Sequence, residues 1–233
     1  MKTALLVCDH VLPDLVPEHG DYPMMFARLL PDLNMDSWYV CDGHFPDIRD
    51  YDVFVITGSK YSVYDDIPWI QDLKVFVRGI QSSGKKCIGV CFGHQLIAEA
   101  LGGRVAKAKA GYLIGVHTFH MLQHAPWIPH KKASFHMLML CQDQVQLIPE
   151  GADVLAGNEY CPVGMYQIGN QFFCVQGHPE FSKAYDQAVF THRSERIGHE
   201  RISLALESFS LEPDRTWLRE VIMAFLTFTP EKD

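Results

Sequence analysis

Short, unbroken apolar runs alternate with helically spaced apolar positions along the first hundred residues. Thr3–Val7 (TALLV), Ser37–Cys41 and Asp52–Thr57 (DVFVIT) have the pattern of strands covered on both faces. Cys8–Gly20 carries two prolines and two histidines and reads as a loop. Tyr22–Leu30 reads as a helix, with Asp21 as its N-cap and Pro23 in its first turn. Trp69, Leu73, Phe76, Val77 and Ile80 recur at helical spacing until Ser82-Ser83-Gly84 stops the run. In Lys85–Gly102 (KKCIGVCFGHQLIAEALG) a strand pattern ending at Val90 passes into a helical one through Leu96, Ile97, Ala100 and Leu101. Strand, helix, strand, strand, helix, strand, helix predicts a doubly wound, mostly parallel α/β sheet with helices on both faces.

The texture changes past Gly103. Tyr112–Met121 and Phe135–Cys141 read as further strands. Val163–Ile168 and Gln171–Gln176 flank Gly169-Asn170, a two-residue turn signal that predicts a small antiparallel addition. Ser182 caps a helix expected to run to about Phe209, with Gly198 as a point of bending or division. Glu212-Pro213-Asp214 opens a last helix, expected over about 213–228, with Trp217, Val221 and Phe225 on one face. No repeat or linker interrupts the chain, so one domain over 1–233, with its core in about 1–209, is expected.

Composition narrows the class. Twenty Lys and Arg against 28 Asp and Glu give a net charge of −8, which argues against a nucleic-acid or anionic-membrane binder. Seven scattered cysteines without a CxxC pair, and no signal peptide, point to a reducing, cytoplasmic setting. No apolar run approaches the ~18 residues of a membrane span. His117, His120 and His124 lack partners at ligand spacing, so no metal site is expected. Glu195, Arg196, Glu200 and Arg201 read as a solvated helix face with i,i+4 pairing options.

The chemistry centres on Cys91. Gly89 and Gly93 flank it at two residues' distance, which allows a sharp strand-to-helix turn with a strained apex. Such a turn places the sulfur at a helix N-terminus, where backbone N–H groups favour an anion, here a thiolate. A cysteine nucleophile also needs a base and a group to orient that base. His178-Pro179-Glu180, at the end of a predicted strand, supplies both, because residues i and i+2 of an extended segment project to one side. Gly58 and Cys91 both fall at predicted carboxyl ends of strands, where sites form in such sheets.

Ile56-Thr57-Gly58-Ser59, Gly89-Val90-Cys91-Phe92-Gly93-His94-Gln95 and Gln176-Gly177-His178-Pro179-Glu180-Phe181 together resemble the class I (triad) glutamine amidotransferases. They are most similar to free-standing relatives of the amidotransferase domain of GMP synthase, over residues 50–182. The resemblance implies a flavodoxin-like fold and no cofactor. It implies that Cys91 attacks the γ-carboxamide carbon of glutamine or another γ-glutamyl amide, that His178 shuttles the proton, and that Glu180 orients His178. Backbone N–H groups of Gly58 and Phe92 would form the oxyanion hole. Gln95 would border the glutamine pocket, and Gln142 and Asp143 would hold the α-amino and α-carboxylate groups. Two positions depart from the family pattern: Leu140-Cys141 stands where Ser-His is frequent, and Gly111-Tyr112-Leu113 replaces a Lys-Gly-Trp pattern.

The chain carries no G-x-x-x-x-G-K-[ST] loop and no appended synthetase domain. Three readings follow. Ammonia passes to a separate synthetase, or the chain hydrolyses γ-glutamyl amides or peptides alone, or a non-catalytic regulatory or binding protein keeps the fold.

Overall fold

The computed structural model describes residues 1–229. In chain order, β1 (Lys2–Val7), α1 (Val16–His19), α2 (Tyr22–Leu29), β2 (Asn34–Tyr39), β3 (Val53–Ile56), α3 (Pro68–Ser83), β4 (Lys86–Val90) and α4 (Phe92–Ala100) build the first half. The strands β5 (Arg104–Lys107), β6 (Leu113–Met121), β7 (Ser134–Cys141), β8 (Asp143–Leu147), β9 (Ala152–Gly157), β10 (Met165–Ile168) and β11 (Phe172–Val175) follow. The helices α5 (Lys183–His192), α6 (Ser194–Ile197), α7 (His199–Ser208) and α8 (Arg215–Thr227) close the fold.

The main sheet has the order β2-β1-β3-β4-β11-β10-β9-β6-β7, and β5 pairs with β8 in a separate two-stranded sheet. From β2 to β11 every neighbour is parallel, and from β11 to β7 every neighbour is antiparallel. Alternate residues of the parallel strands enter opposite cores, which is why their sequences read as unbroken apolar runs. Leu5, Val7, Val53 and Val55 pack with Phe26 of α2 and Val221 and Phe225 of α8. Ala4, Leu6, Phe54 and Ile56 pack with Leu73 and Val77 of α3 and Leu96 of α4.

The parallel arrangement puts the carboxyl ends of β1, β3, β4 and β11 on one edge of the sheet. The turn from β4 to α4 is the tightest point there. Cys91 has φ 51° and ψ −100°, and only His130 shares a positive φ among the described non-glycine residues. The turn closes because α4 lies directly on β3 and β4: a Cβ on Gly93 would sit 2.4 Å from the Ile56 carbonyl oxygen, and one on Gly89 would sit 2.7 Å from Gly93 backbone atoms.

Most expected elements fall where the pattern puts them, including the Asp21 cap, whose carboxylate accepts from the Met24 N–H at 3.2 Å. Several differ. The short helix α1, with Pro17 as its second residue, interrupts the expected Cys8–Gly20 loop. The second strand spans Asn34–Tyr39 rather than Ser37–Cys41, because pairing with Lys2–Val7 begins at Asn34 and a 3-10 turn takes Val40–Asp42. The strands β5 and β8 are short and mixed in polarity, and β9 (ADVLAG) has no strict alternation, so none of them stands out in sequence. The helix after Ser182 is divided into three at Arg193 and Gly198. That division removes the helical register that Glu195, Arg196, Glu200 and Arg201 needed for pairing. Arg201 instead donates to the carbonyls of Tyr112 and Ala110, and the Arg196 guanidinium lies 5.6 Å from the Tyr112 ring centre. Among the described residues, no helix is long and apolar enough to cross a membrane.

Gly93→Ala is expected to destabilise the protein by ~3 kcal/mol or more, since its Cβ would meet backbone rather than a movable side chain. Urea denaturation measures this, and an unchanged midpoint would show that β3 and α4 separate easily.

Candidate active site

Cys91, His178 and Glu180, placed far apart in sequence, converge at the carboxyl edge of the sheet. Cys91 leaves β4, and the Gln176–Phe181 segment leaves β11, the adjacent parallel strand. All three residues are buried, with relative exposures of 5%, 4% and 3%. His178 Nδ1 lies 2.8 Å from Glu180 Oε1, so the expected same-side projection of i and i+2 is realised. The carboxylate therefore leaves Nδ1 as the protonated nitrogen and Nε2 as the one free to work. Phe181 stacks on the His178 ring with centroids 4.0 Å apart and planes at 3°, which fixes the ring from its face. His178 Nε2 is buried without a protein hydrogen-bond partner.

Burial alone would lower the His178 pKa, but Cys91 and Glu180 beside the ring outweigh it and raise it well above the ordinary value. The ring is therefore suited to hold a second proton beside Cys91 and Glu180. The other six thiols are unsuited to that chemistry. Burial pushes Cys8, Cys87 and Cys141 well above the ordinary thiol range, and pushes Cys41, Cys161 and Cys174 up to about 12.

Gly58 meets the site from β3. A Cβ there would lie 2.9 Å from His178 Cε1 and 3.6 Å from Cys91 Cβ, so only glycine lets this backbone approach both. Among the described residues, neither the Gly58 N–H nor the Phe92 N–H donates an internal hydrogen bond. The two donors remain unspent beside Cys91, as an oxyanion hole requires. Thr57 and Ser59 anchor the loop: Cys8 N–H donates to Thr57 Oγ1 at 3.0 Å, and Ser59 Oγ donates to the Cys8 carbonyl at 2.9 Å.

A cavity of about 50 Å³ opens over Cys91, lined in part by Gln95, Gln142, Asp143, Tyr112, Arg193 and Arg196. Gln95 Nε2 donates to the Asp143 carbonyl at 2.7 Å and to Gln176 Oε1 at 3.1 Å, tying α4 to β8 and to the His178 segment. The Asp143 carboxylate accepts from Ser62 Oγ at 2.5 Å and Tyr64 OH at 2.9 Å. Leu140 and Cys141 line the same cavity, and Cys91 Sγ lies 4.0 Å from the Leu140 carbonyl oxygen.

Two further acids belong to this neighbourhood and were not singled out from sequence. Asp9, immediately beyond β1, accepts from the Lys60 N–H at 2.9 Å and from Lys60 Nζ at 2.8 Å, bracing the Gly58 loop. Its place after a parallel strand was the available signal. Asp186 of α5 is fully buried, and neither carboxylate oxygen has a side-chain partner. Burial raises its pKa from 3.8 to about 8, with His178 lowering it and Glu180 raising it. No pattern in one sequence marks a helical acid as buried. Elsewhere, His10, Cys41 and Asp42 bring three donor atoms within 4.8 Å of one another, with His10 Nε2 3.1 Å from both Asp42 oxygens.

The chain is similar to proteins of known family. A family model described as glutamine amidotransferase class-I matches residues 41–193. The chain is 36% identical over 176 residues to gamma-glutamyl peptidase 4 of Arabidopsis thaliana, covering 71% of this chain and 70% of that protein. It is 29% identical over 164 residues to a glutamine-hydrolyzing GMP synthase subunit of Sulfolobus acidocaldarius, covering 69% of this chain and 85% of that protein. A crystal structure of a glutamine amidotransferase from Thermotoga maritima shares the fold, with a TM-score of 0.75 at 18% identity over 97% of this chain and 98% of that chain.

Two outcomes follow from the site's electrostatics. At pH 7, a small thiol-directed electrophile such as iodoacetamide should label Cys91 alone, as read by mass spectrometry of peptides; equal labelling of Cys141 would contradict its placement as an inert buried thiol. Asp186→Asn should raise Tm, by more at pH 8 than at pH 5. A carboxyl raised in the folded state gives its full stability below 3.8, and that stability is lost as pH rises to about 8. A pH-independent difference in Tm would count against a buried neutral acid.

Proposed function

The chain belongs to the class I glutamine amidotransferase family, and we propose that it hydrolyses the γ-amide bond of glutamine or of a larger γ-glutamyl amide through Cys91, His178 and Glu180. The observation that carries this reading is the convergence of a buried His178–Glu180 pair on a cysteine held at a strained helix N-terminus.

In this mechanism His178 Nε2 takes the Cys91 proton, and Sγ attacks the γ-carbonyl carbon. The carbonyl oxygen gains the negative charge and turns toward the unspent N–H groups of Gly58 and Phe92. As the C–N bond breaks, imidazolium His178 gives its proton to the departing nitrogen, leaving a γ-glutamyl thioester on Cys91. Water then enters; His178 removes its proton, the hydroxide oxygen bonds to the carbonyl carbon, and Cys91 leaves as thiolate with glutamate released. Glu180 steadies the imidazolium in both halves through its contact with His178 Nδ1. Gln95 shapes the pocket wall, the Gln142-Asp143 backbone and the Asp143 carboxylate receive the α-amino and α-carboxylate groups, and Arg193 stands opposite.

A separate ammonia-accepting synthetase would be a partner only if the released amine is ammonia. Hydrolysis without an acceptor is the second reading, and the likeness to a gamma-glutamyl peptidase favours it. A purely regulatory role is disfavoured by the intact set of nucleophile, base, orienting acid and unspent donors.

Cys91→Ser and His178→Ala should each lower kcat by ~10³-fold or more in folded protein, because the members act as a unit. The assay is glutamate release from glutamine and from γ-glutamyl dipeptides, with circular dichroism as the folding control. Retention of most activity by folded Cys91→Ser would overturn the mechanism. A glutamine-mimicking chloroketone should add once, on Cys91; labelling that excess glutamine fails to block would favour a larger γ-glutamyl substrate.

A further inference from the structure

The cavity over Cys91 is small, but a second one of about 700 Å³ adjoins it. The two share Tyr112, which stands on the wall between them. The larger cavity lies between the start of β6 and the α6–α7 segment, and Ile114, Ile197, Leu204, Ala205 and Tyr160 give it an apolar lining. Its His117 is kept neutral by burial, with Nε2 2.9 Å from the Ile114 carbonyl. Arg201, on the same wall, is engaged with the Tyr112 and Ala110 carbonyls. Release of ammonia from glutamine requires none of this space.

The charges at the mouth of the small cavity also exceed what glutamine needs. Arg193 and Arg196 both line it, and among the described residues neither forms an ion pair or a side-chain hydrogen bond. Lys60 is already paired with Asp9. Two guanidiniums without an ion-pair partner and the Asp143 residue therefore line the cavity that opens over Cys91. Glutamine brings one carboxylate and one ammonium group. A γ-glutamyl dipeptide brings two carboxylates and one ammonium, and the second carboxylate is separated from the scissile nitrogen by a single carbon.

Resting on the γ-amide hydrolysis proposed above, we infer that the preferred substrates are γ-glutamyl dipeptides whose second residue has a bulky apolar side chain. The α-carboxylate of that residue binds Arg196, beside Tyr112, and its side chain enters the β6–α7 cavity. Arg193 then faces the carboxylate of the glutamyl half. The bond cleaved is the γ-amide C–N bond; water supplies the hydroxyl to glutamate and, by way of His178, the proton to the departing amino acid. The segment α5–α7 thereby becomes the specificity element of the fold, carrying both arginines and one wall of the side-chain cavity.

The test compares kcat/KM for glutamine, γ-Glu-Gly, γ-Glu-Phe and γ-glutamyl-phenethylamide, which keeps the ring but lacks the second carboxylate. The expected result is at least a tenfold advantage of γ-Glu-Phe over each of the other three. Arg196→Met should remove most of the advantage of γ-Glu-Phe over the phenethylamide; Arg196 is exposed, so the variant should fold. Equal rates for γ-Glu-Gly and γ-Glu-Phe would overturn the side-chain cavity, and equal rates for γ-Glu-Phe and the phenethylamide would overturn the Arg196 contact. Hydrolysis of glutamine with no hydrolysis of dipeptides would reject this inference and leave the γ-amide reaction standing. No turnover of any of the four, with no chloroketone adduct on Cys91, would instead reject the γ-amide reaction and this inference with it. Calorimetric titration of Cys91→Ser with γ-Glu-Phe and γ-Glu-Gly reads the same preference without turnover, and equal affinities there would again count against it.

Discussion

The close approach of α4 to β3 and β4 is the constraint on which the rest of the structure depends. Two glycines at the contact let a helix begin one residue after a strand ends, and Cys91 absorbs the geometry in a conformation most side chains avoid. The strain is held by packing on the α4 side of the sheet, where Leu96 and Ile97 of α4 join Phe54, Ile56 and Leu73. Because β3, β4 and β11 are parallel, the same contact aligns the Gly58 backbone, the sulfur and the His178 segment at one edge. Chemistry and fold are thus stabilised by the same core.

Burial around that edge does two things at once. It removes water that would compete for the His178–Glu180 contact, and it raises the cost of every charge left unpaired. The structure answers with neighbouring opposite charges at His178, and with protons kept on Asp186 and on the surrounding thiols. Burial disfavours the ionised form of Asp186, raising its pKa from 3.8 to about 8. His94, also buried beside the site, is lowered to about 3 by desolvation and stays neutral with Nε2 3.0 Å from the Val163 carbonyl.

The antiparallel half of the sheet and the divided helix after Ser182 build the surroundings of the site. Strands β6 and β7 close the antiparallel half of the sheet, β7 brings the Leu140 carbonyl to 4.0 Å from Cys91 Sγ, and α5–α7 cover them, with Ala205 and Ser208 packed closely against Gly115 of β6. Ser208 Oγ accepts from the Val116 N–H at 2.8 Å, locking α7 to the strand. This places arginines and an apolar trench beside Cys91, His178 and Glu180.

The sequence by itself determined the parallel core, the strained turn at Cys91 and the His178–Glu180 contact. These are local: unbroken apolar runs mark strands covered on both faces, and a two-residue spacing fixes which side chains meet along an extended segment. Strands β5, β8 and β9 stayed hidden, because short, mixed segments such as Arg104–Lys107 acquire strand character only from a partner. The same holds for the paired Asp9 and Lys60, the buried Asp186, and Arg201, which the sequence pattern read as part of a solvated face although its guanidinium is engaged with backbone carbonyls. Lys60 lies 51 positions from Asp9, and the carbonyls that hold Arg201 lie 89 and 91 positions from it, so no periodicity within one chain encodes these contacts. Tertiary structure decided which polar groups were spent and which were left free, since burial and pairing are properties of the folded surface rather than of neighbours in sequence.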